Sequence, residues 1–435
     1  MAKRKLFGTD GVRGPVGELL TPDLAVRLGR AAALQADPER PQVLIIRDTR
    51  ESGPMLEEAL AAGVAAGGGD AMLGGVLPTP AASVLTRRLG FDLAAVVSAS
   101  HNPFGDNGIK FLSAAGTKLD DDSEAAIESR LGEQAGDRVG GVRALEGALD
   151  DYIRELRTAF PLDLSGMRIA LDCANGATFR AAPATFTALG AELELTGVEP
   201  DGRNINADCG STHPDRVIEL VRSSRADIGF AYDGDGDRVL AVDGNGGLHD
   251  GDDLIALIAT DLDRRGELQG GVAVTVMTNF GFVGAMEGAG IEVAQTQVGD
   301  RYVVEALLER DWRLGGEQSG HIIWTDFTPT GDGIASSLLT LRALGGQRLA
   351  DAEPFERLPQ RLENVRVAGR GAIQGAQGLW GAVDEENARL DGRGRVLVRP
   401  SGTEPLVRVM VEAPSEEECE AVCGRLVAVV ERELG

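Results

Sequence analysis

The sequence predicts a multidomain α/β protein, and three observations predict it. Apolar runs of strand length alternate with helical patterns, the order that gives mainly parallel sheets covered by helices. That alternation recurs in successive blocks without a short repeat of the solenoid kind. At 435 residues the chain is too long for one core, and its length suggests about three or four domains.

Taken in order, Val43–Ile46 reads as a strand and Pro54–Ala66 as a helix closed by Gly67-Gly68-Gly69. Ala71–Val76 is a strand, Pro80–Leu89 a helix and Leu93–Val97 a buried strand. Phe104-Gly105-Asp106-Asn107-Gly108 is turn chemistry. Helical patterns at Ser123–Leu131 and Leu149–Phe160 complete a first block, residues 1–150. The second, 151–250, has strands at Met167–Asp172, Glu192–Leu195 and Asp227–Tyr232, with a helix over Ala177–Leu189. The third, 251–362, has helices from Asp252 to Arg264, from Gly281 and over Tyr302–Glu309, with strands at Val272–Met277 and Ile291–Ala294. The last, 363–435, is a small α+β layer. Its strands are Asn364–Val367, Arg395–Val398 and Leu406–Val411, and its helices Gln374–Leu390 and Ser415–Leu434.

Composition narrows the function. Apolar content of 43% and charged content of 26% are those of a soluble globular protein. A net charge of -25 argues against nucleic acid or an anionic membrane as partner. It also makes local arginines informative, because the overall field opposes anions. Four cysteines are too few for a disulfide framework, and Cys419 and Cys423, spaced i, i+4 on a helix, fit packing better than metal binding. The basic start Met1-Ala2-Lys3-Arg4-Lys5 has no apolar stretch behind it, so neither an export signal nor a membrane span is expected, and the location is cytoplasmic.

Four polar loops carry the chemistry. In Val97-Ser98-Ala99-Ser100-His101-Asn102-Pro103 a strand delivers Ser100 to a constrained loop. The plain alternative is a solvated turn, but an activated hydroxyl there is a nucleophile. Asp233-Gly234-Asp235-Gly236-Asp237 sets three carboxylates at alternate positions past a strand, with glycines that let the backbone curl. Like charges so close call for a cation, and hard oxygen ligands suit Mg²⁺ or Ca²⁺. An EF-hand is excluded, because its sixth and twelfth positions hold Arg238 and Gly244. Arg238 beside such a site suggests a phosphate bridging both.

Gly315-Gly316-Glu317-Gln318-Ser319-Gly320-His321 offers a carboxylate and a hydroxyl to sugar hydroxyls or an amine. Arg399-Pro400-Ser401-Gly402-Thr403-Glu404-Pro405, with Arg408 beyond it, has the donors of a phosphate cradle where a plain hairpin would need fewer. Near the start, Arg13 lies between glycines, in a terminal turn or held for an anion. Together these loops ask for phosphoryl transfer on a phosphosugar.

The four motifs, in this order and over essentially the whole chain, resemble the α-D-phosphohexomutase superfamily. Gly8-Thr9-Asp10-Gly11-Val12-Arg13-Gly14, Asn204-Ile205-Asn206, Cys209-Gly210-Ser211-Thr212-His213 and Gln318 resemble the branch acting on glucosamine phosphates. The resemblance implies three related α/β domains with mixed sheets and a smaller C-terminal α+β domain around a central active-site cleft. It implies interconversion of glucosamine 6-phosphate and glucosamine 1-phosphate, feeding UDP-N-acetylglucosamine synthesis. Ser100 would be phosphorylated, and one Mg²⁺ would be held by Asp233, Asp235, Asp237 and the seryl phosphate. Glucosamine 1,6-bisphosphate or glucose 1,6-bisphosphate would act as activator. Arg13 and Arg238 would face the moving phosphate, and His101 and Lys110 would be acid/base groups. Glu317, Ser319 and His321 would read the sugar, while Arg399, Ser401, Gly402, Thr403 and Arg408 would hold the phosphate that is not reacting. The expected partners are the phosphosugar and at most a second copy of the chain. Rivals are a phosphoglucomutase/phosphomannomutase, a metal-dependent sugar phosphatase with Asp233 as nucleophile, and a non-catalytic sugar-phosphate sensor.

Overall fold

The computed structural model describes residues 6–8, 10–36, 38–134, 136, 139–367, 372–400 and 406–435. The chain divides into two compact units, Met1–Met277 with Ile291–Glu353, and Thr278–Gly290 with Pro354–Gly435.

The first unit contains three sheets. The first is built from β1 (Val12–Pro15), β2 (Gln42–Arg47), β3 (Asp70–Val76), β4 (Leu93–Val97), β5 (Asp106–Ser113) and β6 (Val142–Ala144), in the order β1-β5-β4-β2-β3-β6. β2 runs parallel to β3 and β4, and β3 to β6, but β5 is antiparallel to both β1 and β4. The sheet is therefore mixed, as the family resemblance implies, with three of its five strand pairings parallel. The loop after β4 is too short for a crossover, so the chain must return antiparallel. The turn expected over Phe104–Gly108 is shorter for the same reason. Asp106, Asn107 and Gly108 pair across to β1, and tertiary pairing overrides their turn preference.

A further helix, Pro22–Gln35, starts on Thr21, whose hydroxyl accepts from Leu24 N at 3.2 Å. It packs with Gly53–Ala66 on one face of the sheet, where Leu28, Leu56, Leu60 and Val64 meet Val43 and Ile45.

The second sheet comprises β7 (Arg168–Asp172), β8 (Glu192–Thr196), β9 (Ile228–Tyr232), β10 (Val239–Asp243) and β11 (Leu248–His249), in the order β11-β10-β9-β7-β8. β7 is parallel to β8 and β9, while β10 is antiparallel to β9 and β11. The helix expected from Ala177 begins at Ala181, after a loop with Ala174 and Asn175 in the left-handed region.

The third sheet, β12 (Val272–Thr275), β13 (Val293–Thr296), β14 (Leu314–Gly316) and β15 (Ile322–Trp324), has the order β13-β12-β14-β15. Its only antiparallel pair among the described residues is β14 with β15. All three sheets thus combine parallel strands with a reversal, and the reversal loop carries the motif: Ser100 between β4 and β5, the three aspartates between β9 and β10, and Glu317 between β14 and β15.

The second unit is a small antiparallel sheet of β16 (Gln360–Arg366), β17 (Arg395–Pro400) and β18 (Leu406–Glu412), with β18 in the middle. Helices Gln377–Leu390 and Glu416–Leu434 bury Leu379 and Leu426 against Val409 and Val411, and both Cys419 and Cys423 are buried in this core. No helix among the described residues is long and apolar enough to cross a membrane.

Candidate active site

Ser100 sits where the β4 ladder ends. Ser98 Oγ donates to Asp48 Oδ2 at 2.6 Å and accepts from Ser100 N at 3.0 Å. Ser100 itself has φ 51°, a conformation that residues other than glycine rarely adopt. Its side chain is buried, and its Oγ donates to Asp233 Oδ2 at 2.6 Å, with His101 Nδ1 at 3.3 Å. β5 brings two cations to the same corner. Lys110 projects from it, and Arg13 on β1 lies opposite Gly108. A Cβ at Gly108 would come within 2.9 Å of the Arg13 Cγ and 2.4 Å of the Ser98 oxygen, so only glycine fits between them.

The aspartate loop meets this corner from the second sheet. Asp233, Asp235 and Asp237 are all buried, with one oxygen of each within 4.8 Å of the others. Asp235 Oδ2 accepts from Lys110 Nζ at 2.9 Å and from Thr79 Oγ1 at 2.6 Å. Asp233 Oδ1 accepts from the amides of Gly236 and Arg238 at 3.0 and 3.2 Å. Burial, with the charges of Asp237 and Asp235, pushes the Asp233 pKa well above the ordinary carboxylate range. Burial also works to raise Asp235, yet Lys110 and Thr79 hold it well below. Lys110 stays above its ordinary value because Asp10, Asp235 and Asp237 outweigh its burial.

The residues fit a hard divalent cation. Three anionic groups converge, and the buried Asp235 Oδ1 and Asp237 Oδ1 have no hydrogen-bond partner among the described residues. Gly234 is required at the junction, because a Cβ there would lie 2.5 Å from the Ser100 carbonyl oxygen.

A cavity of about 400 Å³ opens in front of these groups. Arg13, Ser100, His101, Asp237, Arg238, Glu317 and His321 line it. Arg13 Nε and Arg238 Nε are buried there without a hydrogen-bond partner among the described residues, as an anion site requires. Burial first, then Arg238 and Arg13, lower the His101 pKa and favour its neutral ring. Glu317 Oε1 accepts from Gly299 N at 3.1 Å, and the exposed Ser319 has its Oγ 3.5 Å from Glu317 Oε2. His321 is buried behind the loop. Its Nε2 accepts from Gly331 N at 3.0 Å, and Asp237 and Asp300 stand 3.6 and 3.7 Å from its ring nitrogens. Gln318 turns away, donating to Asp250 at 3.2 Å.

Lys118, Asp10 and Asp300 line the same cavity and are not among the expected site residues. Lys118 Nζ bridges Asp10 at 2.5 Å and Asp300 at 2.6 Å, joining the first sheet's layer to the third. Asp10 also pairs with Arg13. Nothing local in the sequence marks these three as a set, because they are far apart in the chain; only Asp10 falls within a stretch the sequence singles out.

In the second unit, Arg399 on β17 and Arg408 on β18 are cross-strand partners. Burial, then the like charge of Arg408, lower the Arg399 pKa. Ser401, Gly402 and Thr403 lie outside the described residues.

Most of the chain matches one family. Residues 4–136, 150–247 and 250–361 match the alpha/beta/alpha domains I, II and III of phosphoglucomutase/phosphomannomutase, and residues 362–429 its C-terminal domain. The chain is 48% identical to a phosphoglucosamine mutase of Pelotomaculum thermopropionicum, over 98% of each chain. It is 49% identical to one of an Azoarcus species, again over 98% of each. Its fold is similar to that of a phosphoglucomutase/phosphomannomutase family protein from Burkholderia thailandensis, with TM-score 0.83 at 24% identity over 98% of this chain and 97% of that one. It also resembles an Aspergillus fumigatus N-acetylphosphoglucosamine mutase in complex with GlcNAc-6P and magnesium, with TM-score 0.67 at 19% identity over 100% and 96%.

Proposed function

The chain belongs to the phosphoglucomutase/phosphomannomutase family, and from that premise we propose that it interconverts glucosamine 6-phosphate and glucosamine 1-phosphate through a phosphoserine at Ser100. It is an intramolecular phosphotransferase of the isomerase class, and its product feeds UDP-N-acetylglucosamine synthesis. One observation carries the site assignment: Ser100 Oγ stands 2.6 Å from Asp233, in the only three-carboxylate cluster among the described residues.

In the first half-reaction a sugar hydroxyl attacks the seryl phosphorus, and the bond from phosphorus to Ser100 Oγ breaks. The hydroxyl's proton passes to a base, and Ser100 Oγ takes up a proton. Glucosamine 1,6-bisphosphate results. In the second half, Oγ attacks the other phosphoryl group, gives up its proton and leaves a protonated sugar oxygen. His101, 3.3 Å from Oγ, is the group placed to hold that proton. Arg13 and Arg238 face the moving phosphoryl group, and Lys110 fixes Asp235. Asp233, Asp235 and Asp237 would hold one Mg²⁺, and the chemistry it would supply there is neutralisation of charge on the phosphoryl oxygens. Glu317 and Ser319 read the sugar, with His321 behind them. Glucosamine or glucose 1,6-bisphosphate primes Ser100. Domain limits near residues 150, 250 and 362 and a cytoplasmic location belong to the same reading.

The test is a direct assay with Mg²⁺ and trace bisphosphate on glucosamine, glucose and mannose 6-phosphates. The highest kcat/KM is expected on the glucosamine ester. Preference for glucose or mannose esters would move the chain to the phosphoglucomutase/phosphomannomutase activity, and release of inorganic phosphate alone would make it a phosphatase.

Arg399 acts through binding. A clamp on the phosphate that does not react contributes equally to ground and transition states. Charge-assisted bonds of this kind are worth about 1.5–3 kcal/mol. Arg399→Ala should therefore weaken apparent affinity roughly ten- to hundredfold and release bisphosphate into solution. Lysine should give an intermediate effect, keeping charge but losing the bidentate fork. Steady-state kinetics with an assay of free bisphosphate check this; unchanged affinity with no released intermediate would remove the clamp.

A further inference from the structure

The serine loop is held from behind by two side chains that the reaction does not otherwise use. Arg50 is fully buried, yet each of its five N–H donors is occupied: Nε by Asp48, Nη1 by the carbonyls of Pro103 and Asp106, and Nη2 by those of Ser100 and Asn102, at 2.9 and 2.8 Å. Asn206, from the second sheet's layer, donates through Nδ2 to the same two carbonyls, Ser100 at 3.0 Å and Asn102 at 3.3 Å. Its Oδ1 has no partner among the described residues, so that amide's hydrogen bonding goes to the serine loop.

A fully desolvated ion pair such as Arg50–Asp48 is a weak source of stability. What this one does is aim a fork at four carbonyls of one loop. The loop needs it, because Ser100 is held at φ 51°. A non-glycine residue persists there only where its surroundings over-determine it. Released, the backbone relaxes toward negative φ and swings the Ser100 side chain away from Asp233.

We infer that Arg50 and Asn206 are positioning residues for phosphoryl transfer, clamping the Ser100 and Asn102 carbonyls from two layers so that the seryl oxygen stays on the aspartate loop. The inference rests on the reading of Ser100 as the phosphoryl carrier. Neither residue touches the reacting atoms, so their loss lowers the rate of transfer rather than substrate affinity. Misplacement by about 1 Å costs on the order of a hundredfold in rate.

The test compares Asn206→Ala and Arg50→Lys with wild type. Asn206→Ala leaves the buried ion pair intact, which keeps the experiment decisive if Arg50→Lys folds poorly. Transfer from glucose 1,6-bisphosphate to Ser100 is followed by intact-protein mass spectrometry, alongside KM for glucosamine 6-phosphate and the melting temperature. Transfer slowed roughly ten- to hundredfold in a folded Asn206→Ala protein, with KM within about twofold of wild type, is the expected result. Wild-type transfer rates in that folded variant overturn the inference. So does a rise in KM at unchanged kcat. If wild type itself takes no phosphate on Ser100, it is the phosphoserine reading that falls, and the inference falls with it.

Discussion

Ser100→Ala should lower turnover by at least about 10⁴-fold, the scale at which removal of a covalent nucleophile acts. The protein should still fold and still bind glucosamine 6-phosphate with affinity within a fewfold. Ser100 is 2% exposed and its hydroxyl is engaged by Asp233, so the change removes one hydrogen bond and opens little space. Glu317, which reads the sugar, belongs to another sheet and is untouched. This separates the rivals. A phosphatase using Asp233 as nucleophile would keep its activity in the variant, and a sugar-phosphate sensor would have no turnover to lose. Kinetics combined with calorimetric titration of the sugar phosphate decide between them.

The second large effect is at Asp235. Asp235→Asn should slow transfer on the order of 10²–10³-fold, the cost of removing one electrostatic stabiliser of a developing charge. The same substitution changes how metal affects stability. In wild type three buried carboxylates converge, and Mg²⁺ should raise the melting temperature by binding the folded state alone. With Asn at 235 the cluster loses one charge and its repulsion falls, so most of that metal-dependent rise should disappear. Lys110 loses its 2.9 Å partner, but the charges of Asp10 and Asp237 also act on it, so folding should survive. Melting curves with and without Mg²⁺ and single-turnover rates check both halves. An unchanged rate together with an unchanged Mg²⁺-dependent shift would take the metal away from these aspartates.

How far the sequence revealed this site depends on the range of the interactions involved. The Ser100 and Asp233 loops were legible because each follows an apolar strand and is punctuated by glycine or turn residues, and the Glu317 loop because glycines flank its polar residues; these are local signals. β5 was not. Asp106-Asn107-Gly108 carries turn chemistry, and only pairing to β1 makes it the start of a strand. The helix Pro22–Gln35 carries local signals, with Thr21 as cap, Pro22 at its first position and Asp23 in its first turn. The Lys118, Asp10 and Asp300 bridge and the Arg50 clamp were beyond reach, because their partners lie tens to hundreds of residues away and no spacing rule joins them.

The most direct measurement is peptide mapping by mass spectrometry of the protein incubated with glucosamine 1,6-bisphosphate and Mg²⁺. The account predicts one phosphoryl group on the peptide containing Ser100, discharged when glucosamine 6-phosphate is added, with bisphosphate appearing in equal amount. A phosphoryl group on Asp233, or turnover with none on Ser100 at any stage, would contradict it.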